Sequence, residues 1–392
     1  MRPKVPRVLA AAYAVAGGAF WLAQAYAAIR AREVPFVEDM PADALTLWPK
    51  VSVILTACDE AEGIEAGVRS RLDDDYSDLE VIVVDDRSTD DTGRIIDALA
   101  GEDPRVKAVH MTELPEGWLG KVNAMRAGLA EATGDWILFS DADVRVEPGT
   151  MRRVIGFAGS HGIDHLPVFP GFERVSLPLD IGISATARGL VVAGRIWKVP
   201  DPDSGAAAGS GSFNLVSRSA LEATRGLEWI RLEVADDVGL GLMLKESGAR
   251  QVVANGRGFV VVRFYGSIME GLRGGERAGF TSIGNFSLAR LTAMGTGLLL
   301  LELSPFALML SRSKVLRALG AVLLGVDLAA SASIADWSGH PTWLALFQPF
   351  AIPVLTFAFV RTGVLGKLRG GIYWRGTFYP TELLKPGRRF LY

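Results

Sequence analysis

The stretch Trp-Ile-Leu-Phe-Ser-Asp-Ala-Asp, residues 136–143, ends an apolar run of strand length in two carboxylates separated by one residue. In an extended chain, residues two apart point to the same side, so Asp141 and Asp143 can face one point. Carboxylate oxygens suit Mg²⁺ and Mn²⁺, and substrate phosphates commonly complete the coordination of such ions. The stretch therefore predicts a divalent-metal site at the edge of a sheet, with a strand end capped by solvated acids as the alternative.

The chain before this stretch alternates strand-like and helix-like segments. Short apolar runs occur at residues 51–57, 80–84 and 106–111, and helical patterns separate them. This alternation predicts a parallel sheet with right-handed crossovers, in which ligands bind beside the carboxyl ends of the strands. Acidic residues follow three strand ends: Asp59, Asp85, Asp86, Asp141 and Asp143. Because like charges at one edge repel each other, a metal-bound nucleotide is expected between them.

Four motifs in this region resemble the nucleotide-binding half of family 2 glycosyltransferases, which have the GT-A fold. They are Val51-Ser-Val-Ile-Leu-Thr-Ala-Cys-Asp-Glu, Val83-Val-Asp-Asp-Arg-Ser-Thr-Asp-Asp-Thr, Gly120-Lys-Val-Asn-Ala and Asp141-Ala-Asp. The resemblance covers roughly residues 50–265, and the order and spacing of four separate motifs make it specific.

The resemblance implies a role for each motif. Asp59, Glu60 and Asp85 are expected to contact the nucleoside of the donor. For Asp86, a structural or capping role stands beside donor contact. Lys121 is expected near the donor diphosphate, and Asp141 and Asp143 are expected to hold Mg²⁺ or Mn²⁺.

A helix is predicted for residues 233–248, with acids in its first turn and Gly248 as its stop. One interpretation of these acids is structural, because the helix dipole favours acidic residues at the start of a helix. The adjacent Asp236 and Asp237 also resemble the paired acids of the family's catalytic motif, whose second residue is usually the base. This resemblance implies Asp237 as general base, with Asp236 as a rival. Because an aspartate is a weak base, proximity to the acceptor hydroxyl must supply much of the effect.

Residues 205–215 are rich in glycine, alanine and serine. Two interpretations stay open for this segment. It is either a flexible surface loop or, as in the resembling enzymes, a small-residue segment that lets the acceptor approach the donor sugar.

The composition indicates a protein that lies partly in a membrane, with 49% hydrophobic residues and a positive mean hydropathy. The apolar run from Val8 to Ile29 follows three basic residues and is long enough to cross a bilayer, which takes about 20 residues. We expect an uncleaved anchor rather than a secretory signal, whose apolar core is shorter.

Three further apolar segments follow the predicted catalytic domain: Thr292–Leu310, Leu316–Ala335 and Trp343–Val360. Glu302 and Asp327 lie inside two of them, either as functional groups or as paired packing residues. Pro349 and Pro353 are expected to break or kink the last segment.

The chain ends in a basic tail that favours the cytoplasmic side. If all four apolar segments crossed the membrane, this tail and the catalytic domain would lie on opposite sides, so one segment is expected not to span. Tyr373-Trp-Arg-Gly-Thr-Phe-Tyr in the tail resembles the Trp-Arg-Gly tails of membrane-bound relatives that glycosylate lipids. It is either an interfacial anchor or part of the active site.

The prediction is thus an α/β protein with a mostly parallel sheet of the GT-A type and transmembrane helices at both ends. Its expected segments are a membrane anchor, a GT-A domain, an interfacial amphipathic segment, membrane helices and a basic aromatic tail, at residues 1–32, 48–265, 266–290, 291–360 and 361–392. The expected reaction is metal-dependent, inverting transfer from a nucleotide-diphosphate sugar, for which a UDP-sugar is expected, to a hydroxyl of a lipid-like acceptor. The resemblance extends to the ceramide-, hopanoid- and carotenoid-type lipid glycosyltransferases. The expected location is the bacterial inner membrane, with the catalytic domain facing the cytoplasm.

Two other functions are alternatives to this one. A processive polysaccharide synthase is disfavoured because residues 273–277 lack the Gln-x-x-Arg-Trp motif of such enzymes. A non-catalytic nucleotide-binding membrane partner would have no chemical need for all of Asp141, Asp143 and Asp237. The net charge of -3 gives no basic field for a nucleic acid. The absence of a Gly-x-Gly-x-x-Gly or Walker-type loop argues against dinucleotide and kinase folds.

Overall fold

The computed structural model describes residues 7–391. This part of the chain forms the following helices and strands, in order: α1 (Arg7–Ala31), β1 (Val51–Ala57), α2 (Ile64–Leu72), β2 (Leu79–Asp86), α3 (Thr92–Glu102), β3 (Val106–Met111), α4 (Gly120–Glu131), β4 (Trp136–Asp141), β5 (Arg145–Val146), α5 (Thr150–His161), β6 (His165–Phe172), α6 (Leu177–Gly194), β7 (Asn214–Ser217), α7 (Arg218–Glu222), α8 (Asp236–Glu246), β8 (Ala254–Val262), α9 (Ile268–Ala278), α10 (Leu288–Glu302), α11 (Ser304–Met309), α12 (Lys314–Trp337), α13 (Gln348–Arg369), β9 (Gly371–Trp374), β10 (Thr377–Pro380) and α14 (Thr381–Leu384).

The elements belong to two compact units, each built from separate parts of the chain. The helical unit comprises the chain up to Glu33, Arg174–Arg195 and Tyr265–Arg369. The sheet unit comprises Val34–Glu173, Ile196–Phe264 and the chain from Gly370 onward.

The sheet unit contains an eight-stranded sheet with the strand order β3-β2-β1-β4-β7-β6-β8-β5. Strands β3, β2, β1 and β4 run parallel, as do β6 and β8, while β7 and β5 pair with their neighbours in antiparallel fashion. Every residue of β1 and β2 is buried, as expected for a parallel sheet covered on both faces. The predicted α/β class with a mostly parallel sheet is therefore confirmed.

One face of this sheet forms the main core of the unit. Alternate residues of the strands lie on the same side, and Val53, Leu55 and Val81 have no exposed surface. They belong to a cluster that also includes Ile64 and Val68 of α2. The long run of β-branched residues in β1 and β2 thus fills the space under the helices and fixes the position of the strand ends.

The C-terminal segment of the sheet unit folds as a hairpin. Strands β9 and β10 pair antiparallel, with Trp374 opposite Thr377, so that only Arg375 and Gly376 form the turn. Both turn residues have positive φ angles, 46° and 75°.

Among the described residues, four helices are long and apolar enough to cross a membrane: Val8–Ala31, Leu177–Lys198, Lys314–Trp337 and Gln348–Arg369. The second of these, which includes α6, was not predicted. The predicted segment Thr292–Leu310 is instead broken into α10 and the short α11, because Pro305 begins a new helix next to Ser304. Helix α13 runs through Pro353, so this residue does not break the last segment, and a kink there stays a prediction.

A buried ion cluster joins the helices of this unit. Arg188 of α6 places its Nη2 2.6 Å from Glu302 Oε1 and its Nη1 3.5 Å from Asp327 Oδ1. The guanidinium also lies 5.3 Å from the centre of the Trp21 ring, and Ser331 donates to Asp327. Each of the three charged side chains is at most 4% exposed. Both acids are therefore paired, which favours the packing interpretation of Glu302 and Asp327.

Candidate active site

The strand register gathers the predicted acids at one edge of the sheet. Asp85 lies beside Ala57 of β1, and Asp141 lies beside Thr56 on the other side of the same strand. Asp59 and Glu60 follow the end of β1 directly. The carboxyl ends of parallel strands lie at one edge of the sheet, so the acidic residues at these strand ends lie at that same edge.

Asp59, Asp85 and Asp86 are tied to the loop that follows β2. The carboxylate of Asp59 accepts from the backbone N–H of Thr89 at 2.7 Å. Asp85 accepts from the N–H of Ser88 at 3.1 Å, and Asp86 binds the adjacent Arg87 guanidinium at 2.7 Å. These acids fix the backbone at the sheet edge, and their contact with a nucleoside stays a prediction.

Lys121 occupies the centre of the site. It lies in the first turn of α4, where its Nζ is 2.8 Å from Asp141 Oδ1 and 3.4 Å from Asp236 Oδ2. Burial alone would lower the pKa of Lys121, but the charges of Asp141 and Asp236 raise it above its ordinary value. The side chain is 15% exposed. It therefore stays protonated and links β4 to the first turn of α8.

The two aspartates at the start of α8 have different surroundings. Asp236 is buried beside Lys121, and burial raises its pKa to about 6 although Lys121 opposes the rise. Asp237 is half-buried and accepts from the backbone N–H of Gly211 at 3.0 Å. Both line a small pocket with Lys121 and Gly211. The predicted helix with acids in its first turn is confirmed, and Gly248 follows its end with a φ of 86°.

The small-residue segment at 205–215 forms a wall of this pocket. Residues 206–210 are buried, so the interpretation as a flexible surface loop is wrong. A Cβ atom at Gly209 would lie 1.8 Å from the carbonyl oxygen of Asp237. Gly211 accepts from the N–H of Asp141 at 2.8 Å and donates to the Asp237 carboxylate. Only small residues allow this segment to pack against α8.

The donor set of Asp141 and Asp143 fits a divalent cation. Burial raises the pKa of Asp143, and the charge of Asp141 raises it further. Burial also raises the pKa of Glu60 to about 7, with contributions from both aspartates. Within residues 7–391, no group of three or more His, Cys, Asp or Glu side chains is placed to hold a metal. Two carboxylates are nevertheless sufficient for Mg²⁺ or Mn²⁺ when substrate phosphates supply further oxygens.

Two arginines of this region were not among the predicted site residues. Arg71 of α2 is fully buried, donates to Ser140 Oγ at 2.7 Å and also donates to the carbonyl of Val144. Burial lowers its pKa to about 10. Arg375 of the C-terminal hairpin lies 2.8 Å from Glu60. No local pattern indicates the position of Arg71, whereas Arg375 lies in the tail segment whose active-site role was left open.

Comparison with known proteins relates this site to sugar transfer. Residues 52–169 match the family model described as Glycosyl transferase family 2. The chain is 29% identical over 205 residues to the beta-monoglucosyldiacylglycerol synthase of Synechocystis sp.. The matched region covers 52% of this chain and 42% of that protein. It is 33% identical over 107 residues to the GalNAc(5)-diNAcBac-PP-undecaprenol beta-1,3-glucosyltransferase of Campylobacter jejuni, covering 27% of this chain and 34% of that protein. The chain thus matches less than half of the length of these relatives.

A solved structure extends the likeness over most of the chain. The mannosyltransferase PcManGT of Pyrobaculum calidifontis, solved with GDP-Man and Mn²⁺, aligns with a TM-score of 0.52 at 20% identity. The alignment covers 91% of this chain and 98% of PcManGT. At this identity the likeness shows a shared fold, and the expected GT-A fold is confirmed.

Proposed function

We propose that the chain, whose residues 52–169 match the model of glycosyl transferase family 2, transfers a sugar from a nucleotide-diphosphate sugar to a hydroxyl of a lipid-like acceptor at a membrane. The observation that carries the proposal is that Lys121 and Asp237 line one pocket of the sheet unit, with Asp141 Oδ1 2.8 Å from Lys121 Nζ. These residues come from three separate segments and match the needs of a charged donor and a hydroxyl acceptor.

Asp141 and Asp143 would hold Mg²⁺ or Mn²⁺, as the Mn²⁺ in the related PcManGT structure supports. When bound, such an ion neutralises charge on the leaving diphosphate and acts as a Lewis acid. Lys121 supplies a fixed positive charge at the same place, because Asp141 and Asp236 keep it protonated. Asp59, Glu60, Asp85 and Asp86 are proposed to contact the nucleoside side of the donor.

Asp237 is proposed as the general base. It is half-buried, and the N–H of Gly211 orients its carboxylate. Asp236 is instead held by Lys121 in a buried position. In the reaction, the acceptor oxygen forms a bond to the anomeric carbon while the bond from that carbon to the phosphate oxygen breaks. The electron pair leaves with the nucleoside diphosphate, and Asp237 takes the hydroxyl proton, with inversion at the anomeric carbon.

Chain continuity supports a specific membrane topology. Helix α6 connects β6 to β7, and these two strands pair in one sheet. A single crossing by α6 would separate them, so we propose that α6 does not cross. Helices α12 and α13 would cross as a pair, which returns the basic tail to the side of the catalytic domain. The sheet unit and the basic tail would then share one side of the membrane, and the positive charge of the tail favours the cytoplasm for that side.

A lipid-like acceptor is supported by the names of the relatives, which act on a diacylglycerol lipid and on an undecaprenol-linked glycan. The test is to incubate membranes that contain the protein with radiolabelled UDP-glucose, UDP-galactose, UDP-GlcNAc and GDP-mannose in turn, with Mn²⁺, and to extract the lipids. One labelled lipid carrying a single sugar is expected. A ladder of products would indicate a processive synthase, and nucleotide binding without transfer would indicate a non-catalytic partner.

Asp237→Asn tests the proposed base. Asparagine keeps an oxygen that can accept from Gly211, so the fold should be retained. Transfer should fall by about 10²- to 10⁴-fold, while the Kd of the Mn²⁺–nucleotide changes little. Asp43→Asn, at an exposed position outside the four motifs, is the matched control and should leave the rate unchanged. Full activity of Asp237→Asn would assign the base to another group.

A further inference from the structure

The geometry of the C-terminal hairpin points to Arg375 as a donor-binding residue, and we propose that its guanidinium contacts the diphosphate of the nucleotide sugar. This inference rests on the proposed function. It adds to the site a residue far along the chain from the family motifs, which end well before the hairpin begins.

The turn itself gives no reason for an arginine at this position. A two-residue hairpin turn with two positive φ angles favours Asn-Gly, and the chain has Arg375-Gly376. A left-handed φ of 46° is unfavourable for a long side chain. Such a conformation is typically retained at functional sites, where the surrounding structure holds it in place.

The hairpin is held firmly against the sheet edge. Ile372, Trp374 and Tyr379 are buried. The hydroxyl of Tyr379 accepts from the backbone N–H of Gly120 at 3.2 Å, next to Lys121. The hairpin is therefore anchored at the start of α4, the part of the site where the donor diphosphate is expected.

The guanidinium lies among the acids of the site. Its Nη2 is 2.8 Å from Glu60 Oε1, and its Nη1 donates to the carbonyl of Cys58 at 3.3 Å. Glu60 follows β1, and Asp141, the partner of Lys121, ends the neighbouring β4. Arg375 and Lys121 therefore bind carboxylates at the same edge of the sheet from different parts of the chain.

The ion pair with Glu60 leaves part of the Arg375 guanidinium accessible. The side chains of Arg375 and Glu60 are 28% and 25% exposed, so a ligand at this edge can reach the guanidinium. The guanidinium presents a planar set of donors that matches two phosphate oxygens at once. An anionic diphosphate at this edge needs such a cation, because the surrounding side chains are mostly acidic.

Arg375→Asn separates binding from folding. Asparagine suits the positive φ and creates the preferred Asn-Gly turn, so thermal stability should be equal or higher. The Kd of UDP and of GDP, each measured with Mn²⁺ by calorimetry, should rise roughly 10- to 100-fold for whichever nucleotide the unaltered protein binds. Arg375→Lys should give an intermediate Kd, because it keeps the charge but loses the planar donors.

Arg94→Asn is the matched control, since Arg94 is a 72% exposed arginine of the same unit paired with Asp91. It should leave both Kd values unchanged. A stable Arg375→Asn protein with an unchanged Kd would overturn the inference while leaving sugar transfer intact. Binding of neither nucleotide by the unaltered protein would instead refute the proposed function.

Hydrogen exchange provides a second readout that needs no substitution. Mn²⁺ with the bound nucleotide should slow amide exchange in residues 371–380 of the unaltered protein. If Arg375→Asn does not fold, this measurement decides the question. Unchanged exchange in the hairpin on saturation with nucleotide would overturn the inference.

Discussion

Replacing Gly209 with alanine tests whether the small-residue segment is a packed wall of the site. The added Cβ would lie 1.8 Å from the carbonyl oxygen of Asp237 and 2.1 Å from its carbonyl carbon. Overpacking of this kind typically costs about 1–3 kcal/mol. Because the obstacle is helix backbone and not a flexible side chain, we expect a loss near the upper end, about 3 kcal/mol.

The same substitution should disturb the chemistry. The segment donates to Asp237 through Gly211 and accepts from the N–H of Asp141 through the same residue. A shift that relieves the contact at Gly209 therefore changes the position of Asp237 relative to Asp141. Misplacement of reacting groups by about 1 Å can reduce a rate about 100-fold. We expect a reduction of that order in sugar transfer.

Gly205→Ala is the matched control within the segment. Gly205 is exposed, and a Cβ there would meet no atom within 4 Å. Its effect on the free energy of unfolding should stay within about 0.5 kcal/mol. Urea unfolding of the detergent-solubilised protein, followed by tryptophan fluorescence, and transfer assays compare the two variants. If Gly209→Ala unfolds at the same urea concentration as Gly205→Ala and is equally active, the argument for close packing is refuted.

Two buried charged groups outside the site give further predictions. Burial raises the pKa of Asp74 to about 6, so the stability from this group is fully present below about pH 4 and is lost as the pH rises through 6. The difference in unfolding free energy between Asp74→Asn and the unaltered protein should therefore shift in favour of the variant by about 2–3 kcal/mol from pH 4 to pH 7. The same difference at both pH values would contradict this. Arg188→Met should lose about 3–5 kcal/mol in thermal unfolding, because Glu302 and Asp327 lose their buried partner. The exposed Arg312→Met is the control, and an unchanged midpoint for Arg188→Met would show that the cluster adds nothing to stability.

The strands, and the edge of the sheet at which the candidate site lies, could be predicted because both depend on local sequence patterns. Apolar runs at residues 51–57 and 106–111 coincide with β1 and β3. The acids at the ends of β1, β2 and β4 lie at one edge because parallel strands share their direction. The first turn of α8, with Asp236 and Asp237, was likewise predictable from its acids and from Gly248.

Helix α6 could not be identified as a long apolar helix because its polar residues find partners only after folding. Arg188 pairs with acids of α10 and α12, and Ser184 accepts from Gln348 of α13. In the sequence these residues interrupt the apolar pattern, although in the folded unit they are buried. Arg71 presents the same difficulty. Its buried contact with Ser140 joins residues far apart in the chain, and no spacing rule predicts such a pair.

Asp141 and Asp237 are connected through the main chain of Gly211, which explains why the sequence does not reveal the connection. Gly211 accepts from the N–H of Asp141 and donates to the carboxylate of Asp237, both through backbone atoms. Every residue except proline offers these two groups, so only the space available decides which residue can fill the position. A Cβ at Gly211 would lie 2.9 Å from Asp141 Oδ2 and 3.3 Å from Lys121 Nζ. A side chain here would have to displace one of two charged groups, Asp141 and Lys121, which favours glycine at this position.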